Sequence, residues 1–159
     1  TPFVGLLYAG LALTKNGLKV IEFNARFGDP ETQVLIPRLE TPLATLLYNA
    51  ATDNLDDTVL NWRDESAVTV VVASDGYPDA PKTGGEISLP SEVDASIYHA
   101  GTALLDGRLL SSGGRVLTVT GLGASLAIAR DKAYAAISKI ALDKSFYRSD
   151  IALKASEGK

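Results

Sequence analysis

Residues 20–33 read Val20-Ile21-Glu22-Phe23-Asn24-Ala25-Arg26-Phe27-Gly28-Asp29-Pro30-Glu31-Thr32-Gln33, and this stretch decides the fold. Its first half predicts a strand, because β-forming residues alternate there with Glu22 and Asn24, which therefore share one face. A carboxylate and a carboxamide two residues apart offer two oxygen ligands to a Mg²⁺ or Mn²⁺ ion, which keeps its other positions for water and phosphate oxygens. The strand therefore predicts a metal site formed by Glu22 and Asn24.

The second half of the stretch adds a cation and a turn. Arg26 follows on the same face and carries a planar fork suited to a phosphate or carboxylate. Gly28 and Asp29-Pro30 predict a turn, and Glu31 stands where a helix can begin. The alternative is that these polar side chains form only the solvated face of an amphipathic strand.

The run from Glu22 to Gln33 resembles the signature of the phosphoribosylamine–glycine ligase (glycinamide ribonucleotide synthetase) family, which consists of ATP-grasp enzymes of purine biosynthesis. Further segments match that family in chain order: Gly5-Leu6-Leu7-Tyr8-Ala9-Gly10-Leu11, Tyr77-Pro78, His99-Ala100-Gly101-Thr102-Ala103-Leu104, Gly113-Gly114-Arg115-Val116-Leu117 and Tyr147-Arg148-Ser149-Asp150-Ile151. The resemblance thus covers nearly the whole chain.

The resemblance implies an enzyme that uses ATP to activate glycine as glycyl phosphate. The amine of 5-phosphoribosylamine then attacks, giving glycinamide ribonucleotide, ADP and phosphate. In that reaction Glu22 and Asn24 would hold Mg²⁺ or Mn²⁺, and Arg26 would act as the catalytic cation on the transferring phosphoryl group. The turn residues Asp29, Pro30 and Glu31 would contact the amine-bearing substrates.

The same resemblance implies that part of the enzyme is missing. The chain begins with Thr1 and contains no methionine, so we expect a piece of a longer protein. An ATP-grasp site also needs a second lobe over the nucleotide and an N-terminal substrate domain. We therefore expect this chain alone to be inactive, with its N-terminal counterpart as a partner. Two alternatives remain, namely another ATP-grasp ligase or carboxylase and a non-catalytic interaction module.

Composition limits the other functional classes. The chain has 46% hydrophobic and 21% charged residues, and its net charge is −4 from 15 basic and 19 acidic residues. The charges are interspersed, so no basic block favours nucleic acid or a membrane surface. Cysteine is absent, which excludes disulfides and thiolate chemistry. No signal peptide or apolar run of about 18 residues is visible, which favours a cytoplasmic protein.

The segment before the connector predicts a hairpin and two helices. The apolar run 3–13 predicts a strand buried on both faces, joined through Lys15-Asn16-Gly17 to the strand that carries Glu22. Pro37 predicts a short or kinked first helix. Thr41-Pro42 predicts an N-cap and first helical position. An apolar stripe at helical spacing is expected to be core packing: Leu43, Leu46, Leu47 and Ala50.

A polar connector precedes the second region, and Trp62 is expected to anchor it to a core. Its acids lack metal-site spacing and are expected to be solvated: Asp53, Asp56, Asp57, Asp64 and Glu65. Strands are then predicted over 67–73, 96–99, 102–105, 108–111 and 115–120. Ser125 predicts the N-cap of a long helix with one apolar face: Leu126, Ala129, Ala133, Ile137 and Ile140.

The predicted class is α/β (α+β) in two domains. Residues 1–64 would be the C-terminal part of an ATP-grasp domain, an antiparallel sheet with helices. Residues 65–159 would be the family's C-terminal domain, a small mixed sheet or barrel-like structure covered by one long helix. His99, the single histidine, is expected to be structural. Gly121-Leu122-Gly123 is attributed to loop flexibility, and the tail after Ile151 is expected to be frayed.

Overall fold

A computed structural model describes residues 2–55 and 58–158. The chain forms two compact units, Thr1–Arg63 and Asp64–Lys159, which are taken in turn below. Two acids of the predicted connector, Asp56 and Asp57, and the last tail residue, Lys159, lie outside the described residues.

The first unit begins with the predicted antiparallel hairpin. Strand β1 is Tyr8–Thr14 and strand β2 is Gly17–Asn24, and Gly17 adopts a positive φ of 87° at the turn. Near the turn the pairing follows the two-residue loop, with Leu11 opposite Val20. The register then shifts, so that Gly10 lies opposite Glu22 and Tyr8 opposite Asn24. Ile21 is the one residue of β2 left without a partner at this step, so it forms a β-bulge.

The prediction of a first strand buried on both faces is wrong. The strand begins at Tyr8 rather than Phe3, and Gly10 is its single buried residue. Leu13 is 87% exposed and Ile21, on the partner strand, is 70% exposed. The reason is that β1 and β2 form a two-stranded sheet of their own in the described structure, so no further strand covers them.

Two short helices follow the hairpin. Helix α1 is Thr32–Arg38 and contains Pro37 in its last turn, which confirms the prediction of a short first helix. Helix α2 is Leu43–Ala51. The predicted N-cap Thr41 is wrong, because Pro42 occupies that position without a side-chain bond. The Thr41 hydroxyl instead accepts a hydrogen bond from the backbone N–H of Asn61 at 2.8 Å.

An open apolar groove of about 560 Å³ runs between these helices and the segments beside them. The stripe Leu43, Leu46, Leu47 and Ala50 lines it, as does Trp62. No described residue of α2 is buried, so the stripe does not form the closed core that its spacing predicts. Trp62 thus lines an open groove rather than anchoring the connector to a closed core, and 40% of it is exposed.

The second unit contains the buried core. Strand β3 (Ser66–Ser74) pairs with β8 (Arg115–Gly123), and β8 also pairs with β5 (Ser96–His99). A short strand β10 (Ser145–Phe146) completes the antiparallel order β10-β3-β8-β5. Inward-facing side chains of β3 alternate with half-buried ones and join β8 in the core: Val68, Val70, Val72, Val116, Leu117 and Val119.

Two smaller strand pairs accompany this sheet. Strands β6 (Thr102–Leu105) and β7 (Arg108–Ser111) form the predicted second hairpin with the predicted bounds. Its turn residues Asp106 and Gly107 adopt positive φ angles of 50° and 76°, as a tight two-residue turn requires. Strand β4 (Ile87–Ser88) pairs with β9 (Ala141–Leu142).

Helix α3 (Leu126–Ile137) packs across β8 and β3, as the sequence predicts. The side chain of Ser125 caps it by accepting from the N–H of Ile128 at 3.3 Å. On the predicted face Ala129 and Ala133 are fully buried, whereas Ile140 lies beyond the end of the helix and is partly buried. Aliphatic burial between helix and sheet supplies the main stabilisation of this unit.

The attribution of Gly121-Leu122-Gly123 to loop flexibility is wrong. Both glycines lie at the end of β8 and are buried. A Cβ on Gly121 would lie 2.8 Å from the backbone nitrogen of Ala133, and one on Gly123 would lie 2.6 Å from Cγ2 of Ile128. The glycines are therefore needed for the close approach of α3 to β8.

In its described part, residues 152–158, the tail forms the short helix α4 (Leu153–Ser156) instead of a frayed end. Arg130 on α3 holds the preceding segment by donating to the carbonyl oxygens of Ile151 (3.0 Å) and Ser149 (2.6 Å). The Tyr134 hydroxyl donates to the carbonyl of Arg148 at 2.6 Å. These bonds join the C-terminal segment to the helix.

The described structure is thus α/β with antiparallel sheets. None of the helices within residues 2–55 and 58–158 has the length and apolar character that crossing a bilayer requires.

Candidate metal and substrate site

The hairpin brings the two predicted metal ligands to one face of β2. Glu22 lies opposite Gly10 and Asn24 opposite Tyr8. Directly opposed residues of an antiparallel pair project from the same face. The absence of a side chain on Gly10 makes room for Glu22, whose Cγ would lie 3.1 Å from a Cβ at that position.

The side chain of Asn24 has an unsatisfied hydrogen-bonding group. Its amide nitrogen Nδ2 is buried and has no hydrogen-bond partner among the described residues. A buried amide donor without a partner is costly in a folded protein, so this nitrogen calls for an acceptor that the described residues do not supply. Glu22 is exposed at the neighbouring position of the same face.

The donor set fits a hard divalent cation. A carboxylate and a carboxamide supply oxygen ligands of the kind that Mg²⁺ and Mn²⁺ prefer, and neither ligand is a thiol or imidazole. In residues 2–55 and 58–158 no three His, Cys, Asp or Glu side chains are grouped as a metal ion would need. A site built on Glu22 and Asn24 would therefore be partial, with two protein ligands and places for oxygens from elsewhere.

Arg26 lies just after β2 and its side chain is exposed. Its Nη1 donates to the carbonyl oxygen of Phe27 at 2.8 Å. This bond uses one of five guanidinium donors, so the fork retains donors for an anionic ligand.

The predicted turn is present at Gly28-Asp29-Pro30. The carbonyl of Gly28 accepts from the backbone nitrogen of Thr32 at 3.1 Å and also from the Thr32 hydroxyl. Asp29 accepts from the side chain of Gln33 at 3.2 Å, and the Asp29-Pro30 peptide bond is cis. Asp29 is thus bonded to the first turn of α1.

Tyr8 joins the hairpin to the turn, and sequence reasoning missed it. Its hydroxyl donates to Oε1 of Glu31 at 3.1 Å. This hydrogen bond raises the pKa of Tyr8 above its ordinary value, with further contributions from burial and from the charges of Glu31 and Glu22, while Arg26 opposes them. The charges of Glu31, Glu22 and Arg26 therefore all act on the Tyr8 hydroxyl.

The register of the hairpin can be counted along the sequence from its two-residue turn, but that count places Tyr8 on the wrong face. Pairing counted from the two-residue turn would set Tyr8 opposite Phe23, on the face away from the metal ligands. The bulge at Ile21 moves it opposite Asn24. Tyr8 can be found from sequence only once that bulge is known.

Two protein-family models match the chain. Residues 1–32 match the model described as phosphoribosylglycinamide synthetase, ATP-grasp (A) domain. Residues 67–154 match the model described as phosphoribosylglycinamide synthetase, C domain. The second match alone covers more than half of the chain, and it contains the sheet and helix α3 of the second unit.

Curated relatives agree with the models. The chain is 58% identical over 163 residues to a phosphoribosylamine–glycine ligase of Streptomyces coelicolor, covering 98% of the chain and 39% of the relative. It is 52% identical over 161 residues to that of Corynebacterium ammoniagenes, covering all of the chain and 38% of the relative. The chain therefore spans less than two fifths of the length of these relatives.

Solved structures extend the comparison to the fold. The crystal structure of phosphoribosylamine–glycine ligase from Thermotoga maritima matches with a TM-score of 0.80 and 39% identity, over 92% of this chain and 36% of that one. The urea carboxylase of Kluyveromyces lactis matches with a TM-score of 0.59 and 15% identity, over 91% and 13% respectively, which shows a common fold alone. The class is thus an ATP-grasp-related α/β protein. The chain belongs to the phosphoribosylglycinamide synthetase family.

Proposed function

We propose that this chain supplies the C-terminal part of an ATP-dependent ligase that joins glycine to 5-phosphoribosylamine. The products are glycinamide ribonucleotide, ADP and phosphate, and the reaction proceeds through glycyl phosphate. The observation that carries the proposal is the succession of the ATP-grasp and C-domain models along one chain. The proposed domains are residues 1–64, part of the ATP-grasp domain, and residues 65–159, the C-terminal domain with its barrel-like character.

Glu22 and Asn24 are the proposed ligands of Mg²⁺ or Mn²⁺. Their shared face and the exposure of Glu22 support this assignment. When bound, the ion would neutralise negative charge on the phosphates of ATP. Because the carboxylate of glycine and the γ-phosphate are both anions, positive charge at the reacting oxygens matters more than a proton carrier.

Arg26 is the proposed catalytic cation of the chain. Its guanidinium is exposed and retains donors for phosphate oxygens after bonding to Phe27. It would orient and stabilise the transferring phosphoryl group or the acyl phosphate. Asp29, Pro30 and Glu31 are the proposed contacts to the amine-bearing substrates, because this turn adjoins the metal ligands through Tyr8.

The remaining polypeptide of the ligase is the proposed partner, and the cytoplasm the proposed location. The chain matches only 39% of the length of a relative, which supports a partner formed by the remaining polypeptide. The chain alone is expected neither to catalyse ligation nor to bind ATP tightly. Calorimetric titration with ATP, with and without the remaining polypeptide, tests that expectation. Tight ATP binding by the chain alone would contradict it.

The test of function uses the full-length enzyme that contains this chain. We expect glycine- and phosphoribosylamine-dependent release of ADP, and a loss of at least about a hundredfold in kcat for Glu22→Ala and for Asn24→Ala. Lys19→Ala, at an exposed position of the same strand, is the matched control and should keep full activity. Unchanged metal-dependent turnover in both ligand variants would refute the metal assignment, and ADP release without glycinamide ribonucleotide would refute the activity.

A further inference from the structure

Tyr8 lies between the proposed metal ligands, Glu22 and Asn24, and the turn 28–31 that is proposed to contact the substrates. It lies opposite Asn24 on the face that carries Glu22. Its ring lies beside two glycines, with Cε1 3.6 Å from a Cβ built on Gly10 and Cε2 3.0 Å from one built on Gly28. A side chain at Gly28 would require the tyrosine ring to move. The local backbone is therefore shaped to accept this ring.

Glu31 also lies beside Gly28, and it bonds to Tyr8. Its Cβ would lie 3.1 Å from a Cβ on Gly28, and its Oε1 accepts the hydrogen bond from the Tyr8 hydroxyl at 3.1 Å. The two residues are 23 positions apart in sequence. The bond therefore connects β1 with the residue that precedes α1.

The bond leaves part of the carboxylate for another donor. A carboxylate accepts about four hydrogen bonds, two at each oxygen. Tyr8 occupies one place on Oε1, while Oε2 lies beside Gly28, where no side chain intervenes. A carboxylate that is held at one oxygen and keeps further acceptor places is suited to bind an amine or ammonium group.

We propose that Tyr8 is a positioning residue, which fixes the carboxylate of Glu31 to receive the amine group of a substrate. This inference rests on the proposed function, since that reaction involves two amine-bearing substrates, glycine and phosphoribosylamine. Tyr8 acts through Glu31 and does not itself contact the reacting atoms. Loss of its hydroxyl leaves Glu31 in place but free to rotate, which weakens substrate binding more than it slows phosphoryl transfer.

The experiment compares Tyr8→Phe, Glu31→Gln and the double variant in the full-length enzyme. Tyr8→Phe should raise KM for one amine-bearing substrate by roughly five- to tenfold, as expected for one hydrogen bond, with little change in KM for ATP. Separate saturation curves for glycine and for phosphoribosylamine show which amine Glu31 receives. In the Glu31→Gln background, Tyr8→Phe should have a much smaller further effect, because both changes act on one interaction.

Tyr48→Phe is the matched control. Tyr48 lies on α2 and is 68% exposed, so its hydroxyl should be dispensable for every KM. Tyr8→Phe retains the ring, and its thermal unfolding midpoint is measured alongside.

An unchanged KM for both amine substrates, or effects that add fully in the double variant, would overturn the role of Tyr8 while leaving the ligase activity established. A purely structural role would change KM for ATP and the unfolding midpoint together, and would also overturn it. Absence of ligase turnover in the unsubstituted enzyme would overturn the proposed function itself.

Discussion

Replacement of Gly121 by alanine distinguishes two opposite explanations of why position 121 is a glycine. If the glycine served loop flexibility, alanine would stabilise the protein by about 0.4–1 kcal/mol, because it restricts the unfolded chain. If the glycine serves close packing, alanine must destabilise it. The structure supports packing, since a Cβ there would lie 2.8 Å from the backbone nitrogen of Ala133 and closer still to the carbonyl oxygen of Ala129.

The magnitude follows from what would have to move. Ordinary contact begins at 3.4 Å, so α3 and β8 must separate by more than half an ångström. The conflicting atoms are backbone, and therefore no side-chain rotation relieves the clash. Ala129 and Ala133 have no solvent exposure at this contact. Overpacking of this kind costs about 1–3 kcal/mol, and we expect a net loss of about 2 kcal/mol for Gly121→Ala.

Urea unfolding followed by far-ultraviolet circular dichroism measures the effect. With an m-value of about 2 kcal/mol/M, the midpoint should fall by about 1 M without a change in m. Gly84→Ala is an informative comparison, because Gly84 has a φ of +85° and no atom within 4 Å of the added Cβ. It should show only the cost of left-handed backbone, about 1–2 kcal/mol. A higher midpoint for Gly121→Ala would refute the packing explanation.

Two further predictions concern the second unit. Arg130→Gln removes the charged donor to the carbonyls of Ser149 and Ile151, so unfolding free energy should fall by about 2 kcal/mol and amide exchange in the C-terminal segment should accelerate. Lys82 donates to Asp75 at 2.6 Å and holds the pKa of that carboxyl below its ordinary value of 3.8. Since the folded pKa is the lower one, this pair stabilises the protein above about pH 4 and loses its effect as pH falls through the folded pKa. Lys82→Gln should therefore be less stable than the parent near pH 6, and the difference should shrink towards about pH 2.

Lys139→Gln serves as the control for both charge changes. Lys139 is exposed just after α3, so its replacement should leave the urea midpoint and the exchange of the C-terminal segment unchanged. A difference between Lys82→Gln and the parent that is constant across the acid range would contradict the role of the Asp75 pair. Unaltered amide exchange in Arg130→Gln would contradict the attachment of the tail by Arg130.

Local sequence signals predicted those elements whose causes are themselves local. The hairpin 102–111 was predicted with its bounds because Asp106-Gly107 adopts the positive φ angles that its turn requires. Ser125 was predicted as an N-cap because its hydroxyl acts three residues away. Pro37 limited α1 for a similar reason.

Features that depend on distant partners were not predictable in this way. Thr41 has the residue type of an N-cap, but its hydroxyl bonds to Asn61, twenty residues later. Gly121 resembles a loop glycine until α3 is placed against it. In the candidate site, the alternation of Glu22 and Asn24 was visible in the sequence. The face on which Tyr8 lies depends on a register shift that the residue types do not indicate. The roles of Glu22, Asn24, Arg26 and the turn residues remain predictions.

The bulge at Ile21, and not residue type alone, decides which side chains of this hairpin share a face. If the intact chain paired regularly, Tyr8 would lie opposite Phe23 and Glu22 opposite Ala9. The sequence would be the same, but Tyr8 would lie on the face away from Glu22 and Asn24. Deleting Ile21 would remove the bulge and keep Tyr8 opposite Asn24. We therefore expect homologous chains to vary freely at the exposed residues of the Lys15-Asn16 turn, yet to keep this pairing, either through the bulge or through a second strand that is one residue shorter.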